Sequence, residues 1–150
     1  MALKGKLEAE LELKASADKF YSIFRSQAHQ VPNATPDIIQ HVAVHEGDWE
    51  THGSVKVWKY TVDGKAEVFK EVVEFDDANR AATLVGVDGD VMKIYKTYKG
   101  TFQVTPKGDG SLAKLTMEYE TLTADAPPPT QYFIMMINMT KDIDAHVVKA

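Results

Sequence analysis

The sequence predicts an α+β domain in which a curved antiparallel sheet of seven strands wraps around one long C-terminal helix. Three observations predict this fold. Apolar and charged residues alternate over residues 3–14, turn-forming pairs divide residues 41–121 into six strands, and the last helix is apolar around nearly its whole circumference. Because a single flat sheet covers only one side of such a helix, we expect the sheet to curve around it.

The first forty residues predict one strand followed by two short helices. Leucine and alanine alternate with lysine and glutamate over residues 3–14, which is typical of a half-buried strand. Ser16 is a favourable N-cap for a helix with apolar residues at helical spacing. Thr35 and the proline after it predict the start of a second helix, with Pro36 at its first position.

After the second helix, tight turns divide the chain into an antiparallel meander. The Asp-Gly pair at 63–64 is a strong signal for a two-residue hairpin between two alternating segments. Turns at 76–79 and 88–90 lead to a strand over about 94–104. The Gly-Asp-Gly segment at 108–110 joins this strand to the last one.

The last helix, expected from about Pro128 to Val148, carries a continuous apolar stripe at i, i+3, i+4, i+7 spacing. Phe133, Ile134 and Ile137 extend the apolar surface to the other sides of its first turns. We therefore expect burial on more than one side, by the sheet and by other helices or a cavity. The stripe consists of Tyr132, Met135, Met136, Met139, Ile143 and Val147.

Length, charge and composition narrow the function classes. A chain of 150 residues predicts one domain, residues 1–150, with its own core. The net charge of −5 argues against a nucleic-acid partner. The absence of cysteine excludes disulfides, thiolate metal sites and thiol nucleophiles. No uninterrupted apolar run has the length of a membrane span or the form of a signal peptide, so we expect a cytoplasmic protein without stable membrane insertion.

Three histidines, His41, His45 and His52, are close together in the sequence and raise the question of a metal site. On a strand, residues four apart are separated by roughly 13 Å. Metal–nitrogen bonds measure about 2 Å. We therefore expect no metal site.

Several segments along nearly the whole chain resemble those of one plant family: "GKLEAELELK", "HEGDWETHGSVKVWKY", "VDGKAEVFKE", "GDVMKIYKTYKG" and "TKDIDAHVVK". This family is the major latex protein branch of the birch pollen allergen (Bet v 1) superfamily. Its pattern of Lys-Glu, five residues and Asp is matched by Lys70, Glu71 and Asp77. Only Gly47 and Gly53 occupy a loop that has several glycines in the pathogenesis-related branch, which favours the latex branch.

The resemblance implies a helix-grip fold with two short helices between the first two strands and a large internal cavity. It implies a carrier of hydrophobic small molecules, of steroid, terpenoid, flavonoid, lipid or alkaloid type, that needs no cofactor. Some members of the superfamily are cofactor-free cyclases or isomerases of specialised metabolism, so an enzyme using the same cavity is the alternative. We expect a monomer or weak dimer.

The alternation of residues along each strand indicates which side chains point inward and are candidates for the cavity wall. The alternative is that these residues form an ordinary filled core. Comparison with the family favours an inward orientation for Lys56, Trp58 and Tyr60, although their neighbours are also apolar. Leu84 lies between small residues that leave space, and methionine suits a pocket with variable occupants. The candidate ligand-binding residues are Phe20, Phe24, Lys56, Trp58, Tyr60, Leu84, Tyr98, Phe102, Leu115, Met117, Tyr119, Tyr132, Met135, Met136 and Met139.

Catalysis would require an inward-facing proton donor or acceptor. The acidic residues at 71–77, including Glu71, are expected on an outer face or in a turn. Lys56 is expected to reach the cavity mouth or to hydrogen-bond a ligand. None of the five polar candidates for an inward orientation belongs to a recognisable catalytic triad or carboxylate pair. The candidates are His45, Lys56, Tyr60, Tyr98 and Tyr119.

Overall fold

A seven-stranded antiparallel sheet and a 20-residue C-terminal helix dominate the computed structural model, which describes residues 3–149. Short 3-10 turns connect some of the elements. The strands and helices are β1 (Lys4–Leu13), α1 (Ala17–Arg25), α2 (Val31–Ala34), β2 (Ile39–Glu46), β3 (Val55–Val62), β4 (Lys65–Asp76), β5 (Ala81–Gly89), β6 (Tyr95–Lys107), β7 (Gly110–Thr121) and α3 (Thr130–Lys149).

The strands follow the order β1-β7-β6-β5-β4-β3-β2, so that β1 pairs with β7 and the other strands form a meander. Helix α3 contacts β1 and β7 near one edge of the sheet and β3 near the other. Contact with both ends of the strand order means that the sheet curves around the helix, as in a helix-grip fold. The predicted fold class is confirmed.

Helix α1 begins as predicted, whereas α2 does not. The Ser16 hydroxyl accepts a hydrogen bond from the backbone N–H of Lys19 at 3.3 Å, as an N-cap does. Helix α2 already occupies Val31–Ala34, so the prediction that Pro36 starts it was wrong. Pro32 takes the early helical position, while the carbonyl of Thr35 accepts from the N–H of Ile39 and directs the chain into β2.

The hairpin at 63–64 is confirmed. Asp63 and Gly64 have φ angles of 53° and 77°, and two positive φ values are typical of a type I′ turn. The two-residue turn determines the register of β3 and β4, pairing Tyr60 with Glu67 and Lys56 with Glu71. This register places two carboxylates beside cavity-facing residues, as described below.

Helix α3 is buried along one broad face rather than around its circumference. Tyr132, Met136 and Met139 are buried and Met135 is half-buried, whereas Ile134 is 52% exposed. Ile134 lies on the side of α3 that borders a surface groove beside the β3–β4 turn. Farther along, the Asp144 carboxylate accepts hydrogen bonds from the first backbone N–H groups after β1, which ties the helix to the sheet. No helix in the described part of the chain is long and apolar enough to cross a membrane.

Candidate ligand cavity

An internal cavity of about 60 Å³ lies between the inner face of the sheet and the first half of α3. Strands β2 to β7 supply one wall and α3 supplies the other. The wall is almost entirely apolar. Its residues are Ile39, Trp58, Tyr60, Phe69, Leu84, Tyr98, Gly100, Phe102, Met117, Tyr132, Met135, Met136 and Met139.

The sheet wall of the cavity consists mainly of aromatic rings that hold one another in place. Trp58 and Phe69 are direct partners across β3 and β4. The Tyr98 ring meets Phe69 edge to face at 5.4 Å and Tyr132 of α3 at 6.1 Å. Edge-to-face pairs at these separations are favourable and restrict ring movement.

The helix wall is made of flexible side chains. Met135, Met136 and Met139 extend from successive turns of α3 into the cavity. Gly100 of β6 lies directly opposite, and a Cβ at this position would approach the end of Met136 to 3.4 Å. Methionine has three rotatable bonds and no branch, so this wall can change shape at lower cost than the aromatic wall.

One end of the cavity carries a polar group of three residues, here termed the tyrosine–glutamate cluster: Tyr60, Glu67 and Tyr132. The hydroxyl groups of Tyr60 and Tyr132 each donate to Glu67 Oε1 at 2.9 Å, and Tyr132 also lies 3.2 Å from Oε2. Burial, together with the hydrogen bond to Glu67, raises the pKa of both phenols, so they remain neutral donors.

Tyr98 is the third phenol at this end. Within residues 3–149 its hydroxyl has no hydrogen-bond partner, and burial raises the pKa of the phenol. A neutral hydroxyl of this kind can donate or accept one bond to a ligand.

A buried ion pair, Lys56 and Glu71, lies on the other side of Trp58 from the tyrosine–glutamate cluster. Lys56 and Glu71 are 1% and 0% exposed, with Nζ and Oε1 3.8 Å apart, and the Trp58 indole N–H donates to the same Oε1 at 3.0 Å. Burial raises the pKa of Glu71 to about 7, an effect opposed by Lys56, and burial lowers the pKa of Lys56. Neither residue lines the cavity.

Two predictions for this pair were therefore wrong. Glu71 was expected on an outer face, but it shares its parity on β4 with Phe69 and Val73, which face inward. Lys56 was expected at the cavity mouth, but its cross-strand partner Glu71 holds the ammonium in the interior. The turn at 63–64 contained the missing signal, because its register alone pairs these two residues.

Several other candidates lie outside the cavity wall. His45 is exposed on β2, so its proposed inward orientation was wrong. Tyr119 is half-buried and packs edge to face against Tyr95 at 5.8 Å. Phe24 stacks on the cavity residue Phe102 with ring centroids 4.3 Å apart, while Phe20 and Leu115 belong to the same buried core.

The structure also adds residues that were not among the candidates. Ile39, Phe69 and Gly100 line the cavity, and Glu67 supports its polar end. Phe69 and Glu67 could have been found from the hairpin register, which places them opposite Trp58 and Tyr60.

The three histidines considered as possible metal ligands lie in different environments. His41 and His45 are exposed on β2, and His52 Nδ1 accepts a hydrogen bond from the backbone N–H of Phe75 at 3.0 Å. Over the described range, 3–149, no group of three or more His, Cys, Asp or Glu side chains could hold a metal ion.

A surface groove of about 280 Å³ runs between α3 and the β3–β4 turn, next to the tyrosine–glutamate cluster. Met135 borders both this groove and the internal cavity. The Gln131 amide donates to the Asp63 carboxylate at 3.1 Å and links the helix to the turn across the groove. Met135 is thus the side chain that separates the cavity from this part of the surface.

Comparison with known proteins relates this architecture to one family. The model of the pathogenesis-related protein Bet v 1 family matches residues 2–150. MLP-like protein 328 of Arabidopsis thaliana is 43% identical over 151 residues, which cover 100% of both chains. The chain belongs to the Bet v 1 family. Its similarity to proteins of the MLP-like group places it in the major latex protein branch.

Solved structures of Bet v 1-type proteins share the fold. The crystal structure of ginseng major latex-like protein 151 from Panax ginseng has a TM-score of 0.92 and 34% identity, covering 96% of this chain and 97% of that one. Norcoclaurine synthase from Thalictrum flavum, solved in complex with dopamine and hydroxybenzaldehyde, has a TM-score of 0.75 at 19% identity, covering 99% and 88%. The second likeness concerns the fold alone.

In this Bet v 1 family member the Lys-Glu-x5-Asp pattern has structural roles. Glu71 forms the buried ion pair. The Asp77 carboxylate accepts hydrogen bonds from the Tyr21 hydroxyl at 2.7 Å and from Arg25 Nε at 2.9 Å, which attaches α1 to the turn after β4. Lys70 is half-buried on β4. Two of the three pattern residues therefore hold elements together away from the cavity wall.

Proposed function

We propose that this protein binds a hydrophobic small molecule in the cavity between the sheet and α3 and acts as a carrier. The observation that carries the proposal is the partly enclosed apolar cavity with hydrogen-bonding groups at one end. Apolar burial supplies about 25 cal/mol per Å², and a few polar groups orient the bound molecule. Membership of the Bet v 1 family supports the same role.

The size of the cavity requires movement on binding. Sites for drug-sized ligands measure roughly 300–1,000 Å³, whereas this cavity measures about 60 Å³. The large cavity expected from the resemblance is thus much smaller in the structure. Met135, Met136 and Met139 fill part of the space, and their rotation is the least costly way to enlarge it.

The groove beside Met135 supplies the route of entry. Rotation of the Met135 side chain would join the surface groove to the cavity without breaking a backbone hydrogen bond. A ligand entering there would pass the tyrosine–glutamate cluster before reaching the apolar part. Its apolar end would then lie against Met139 and Phe102, and its polar end near Tyr60, Tyr98 and Tyr132.

A cavity-filling variant tests the site. Leu84→Trp places a large ring in the cavity, and we expect it to weaken binding of the apolar dye Nile red by at least roughly tenfold. Val87→Trp, on the exposed face of the same strand, is the matched control and should bind like wild type. Fluorescence titration measures both, after circular dichroism has shown that each variant is folded. Equal affinity for all three proteins would exclude this cavity as the binding site.

Native mass spectrometry of protein purified from its source tests for the natural ligand. A mass increment that is lost in Leu84→Trp and kept in Val87→Trp would identify a cavity ligand. Gel filtration of the same material tests the proposed monomer or weak dimer, and a fluorescent fusion tests the proposed cytoplasmic location.

A second function, a cofactor-free cyclase or isomerase, is favoured by the tyrosine–glutamate cluster. A carboxylate that accepts from two phenols beside an apolar cavity can take part in proton transfer to a bound substrate. Incubation with reactive iridoid, alkaloid or polyketide precursors separates the two functions. Product specificity that is lost in Tyr60→Phe would favour the enzyme, and unchanged ligand recovered at stoichiometry would favour the carrier.

A further inference from the structure

In the tyrosine–glutamate cluster, both phenol hydrogens already form hydrogen bonds within the protein, to Glu67. A phenol has one hydrogen to donate and two lone pairs that accept. Tyr60 and Tyr132 both direct that hydrogen to Glu67, at 2.9 Å each. Hydrogen bonds to a carboxylate are stronger than those between neutral groups, so a ligand acceptor competes poorly for these two hydrogens.

What remains at this end of the cavity is acceptor capacity. The oxygens of Tyr60 and Tyr132 keep lone pairs, and Glu67 Oε2 has only one long contact, at 3.2 Å to Tyr132. A carboxylate has room for about four hydrogen bonds and donates none. Tyr98 is the one phenol here whose hydrogen is uncommitted among the described residues.

The charge of Glu67 also has no counterpart. No ion pair within the described part of the chain includes Glu67, whereas Glu71, four residues further along the same strand, faces Lys56. The rings of Tyr60, Tyr98 and Tyr132 surround this end of the cavity. A carboxylate without a cation beside aromatic faces is an environment that attracts a positively charged or hydrogen-rich group.

We propose that the polar end of the ligand is a hydrogen-bond donor, best a protonated amine and next a hydroxyl. It is held by the phenol oxygens of Tyr60 and Tyr132, which line the cavity, and by the negative charge of Glu67, which lies behind them and accepts from both. A ligand with an anionic end is disfavoured, because the Glu67 charge lies behind this end and Tyr98 has the one uncommitted phenol hydrogen there among the described residues. This assignment rests on the proposed carrier function and names the class of ligand for the same cavity.

Three probes with one tail and different heads test the assignment: octylamine, octanol and octanoate. Their displacement of Nile red is measured at about pH 7, where the amine is cationic and the acid anionic. We expect affinity in the order octylamine, octanol, octanoate, with roughly tenfold or more between the first and last. In Glu67→Gln this difference should fall severalfold, mainly through weaker octylamine binding.

Two controls separate the cavity from the acidic surface. Glu74→Gln removes an exposed carboxylate from the outer face of the same strand and should keep the wild-type order. Leu84→Trp should lose displacement by all three probes. If Glu67→Gln is unstable, Tyr132→Phe gives a second measurement, because removal of one acceptor oxygen should weaken octylamine and octanol and leave octanoate unchanged.

The outcomes distinguish the two proposals. Octanoate binding as tightly as octylamine, or a difference between these two probes that is as large in Glu67→Gln as in wild type, would overturn the donor assignment while the carrier function stands. Failure of the dye and of all three probes to bind wild-type protein would overturn the carrier function and the assignment together.

Discussion

Two carboxylates on the inner face of β4 have different environments although they are four residues apart on one strand. Glu71 is fully buried, pairs with Lys56 and accepts from the Trp58 indole. Glu67 is half-buried and accepts from Tyr60 and Tyr132 without a cation. Trp58 and Phe69, direct partners across the strands, separate the two sites.

The comparison shows how one hairpin can carry a structural site and a recognition site. The Glu71 carboxyl has a cationic partner within the protein, although Lys56 Nζ and Glu71 Oε2 make no hydrogen bond among the described residues. Removing either partner would leave the other charge buried and uncompensated, so the pair holds β3 to β4. A carboxylate that meets only neutral donors at the edge of a cavity retains the capacity to bind another group. The predictions below test this division, from the largest expected effect to the smallest.

Removal of the lysine from the buried pair should have the largest effect. Lys56→Met leaves the Glu71 carboxyl buried without its cation, and we expect a loss of about 3–5 kcal/mol in the free energy of unfolding. Urea denaturation measures it. Lys59→Met, an exposed lysine on the same strand, is the matched control and should change stability by about 0.5 kcal/mol or less.

Replacement of both members of the pair tests whether the stability lost in Lys56→Met comes from the uncompensated Glu71 carboxyl. The double variant Lys56→Met/Glu71→Leu removes both charges, and most of the stability lost in Lys56→Met should return. A double variant that is less stable than the single one would mean that the pair has a role beyond mutual charge compensation.

The pH dependence of stability should report Glu71. Its folded-state pKa of about 7 exceeds its ordinary value of 4.5, so between these pH values the folded protein holds a proton that the unfolded chain has released. The contribution of this group to the free energy of unfolding is therefore present below pH 4.5 and is lost as the pH rises to about 7.

The magnitude follows from the size of the pKa shift. Wild-type protein should lose about 1–3 kcal/mol more than Glu71→Gln across that pH range. Urea denaturation at several pH values measures the difference, with Glu74→Gln as the exposed control. Parallel profiles for wild type and Glu71→Gln would show that the buried carboxyl keeps an ordinary pKa.

At the cavity end, loss of one hydrogen-bond donor to Glu67 should have the smallest effect on the free energy of unfolding. Tyr60→Phe removes one donor from Glu67, which keeps Tyr132 and remains partly accessible to water. We expect a loss of about 1 kcal/mol by thermal or urea denaturation. A loss as large as that of Lys56→Met would place Glu67 with Glu71 as a structural carboxylate and remove the contrast between the two sites.

Much of the fold could be predicted from local patterns. The alternation in β1, the Asp63-Gly64 turn and the stripe of α3 each depend on the geometry of one or two neighbouring elements, and each is present in the structure. Strand parity also placed Tyr98 and Met117 on the inner face, and the family resemblance placed Trp58 there; all three line the cavity. Helix α2 was misplaced because two Pro-containing segments compete for one helix start and only packing selects between them.

The site depended on features that local patterns do not contain. The acidic run after Lys70 resembled a solvated face, because charge masks parity when inner and outer positions are both acidic. The volume of the cavity is a small difference between the space enclosed by the sheet and the space filled by many side chains, so no single residue predicts it.

The sequence by itself determined the order of elements, the hairpin register and the identity of most cavity walls, because periodicity and turn chemistry act over a few residues. Only the tertiary structure decided that Glu71 meets a lysine in the interior and that Glu67 meets a second tyrosine. Tyr60 and Glu67 come from one hairpin, but Tyr132 is 65 residues beyond Glu67 and arrives only when α3 enters the curved sheet. The polar end of the cavity exists because the sheet and the helix close on each other.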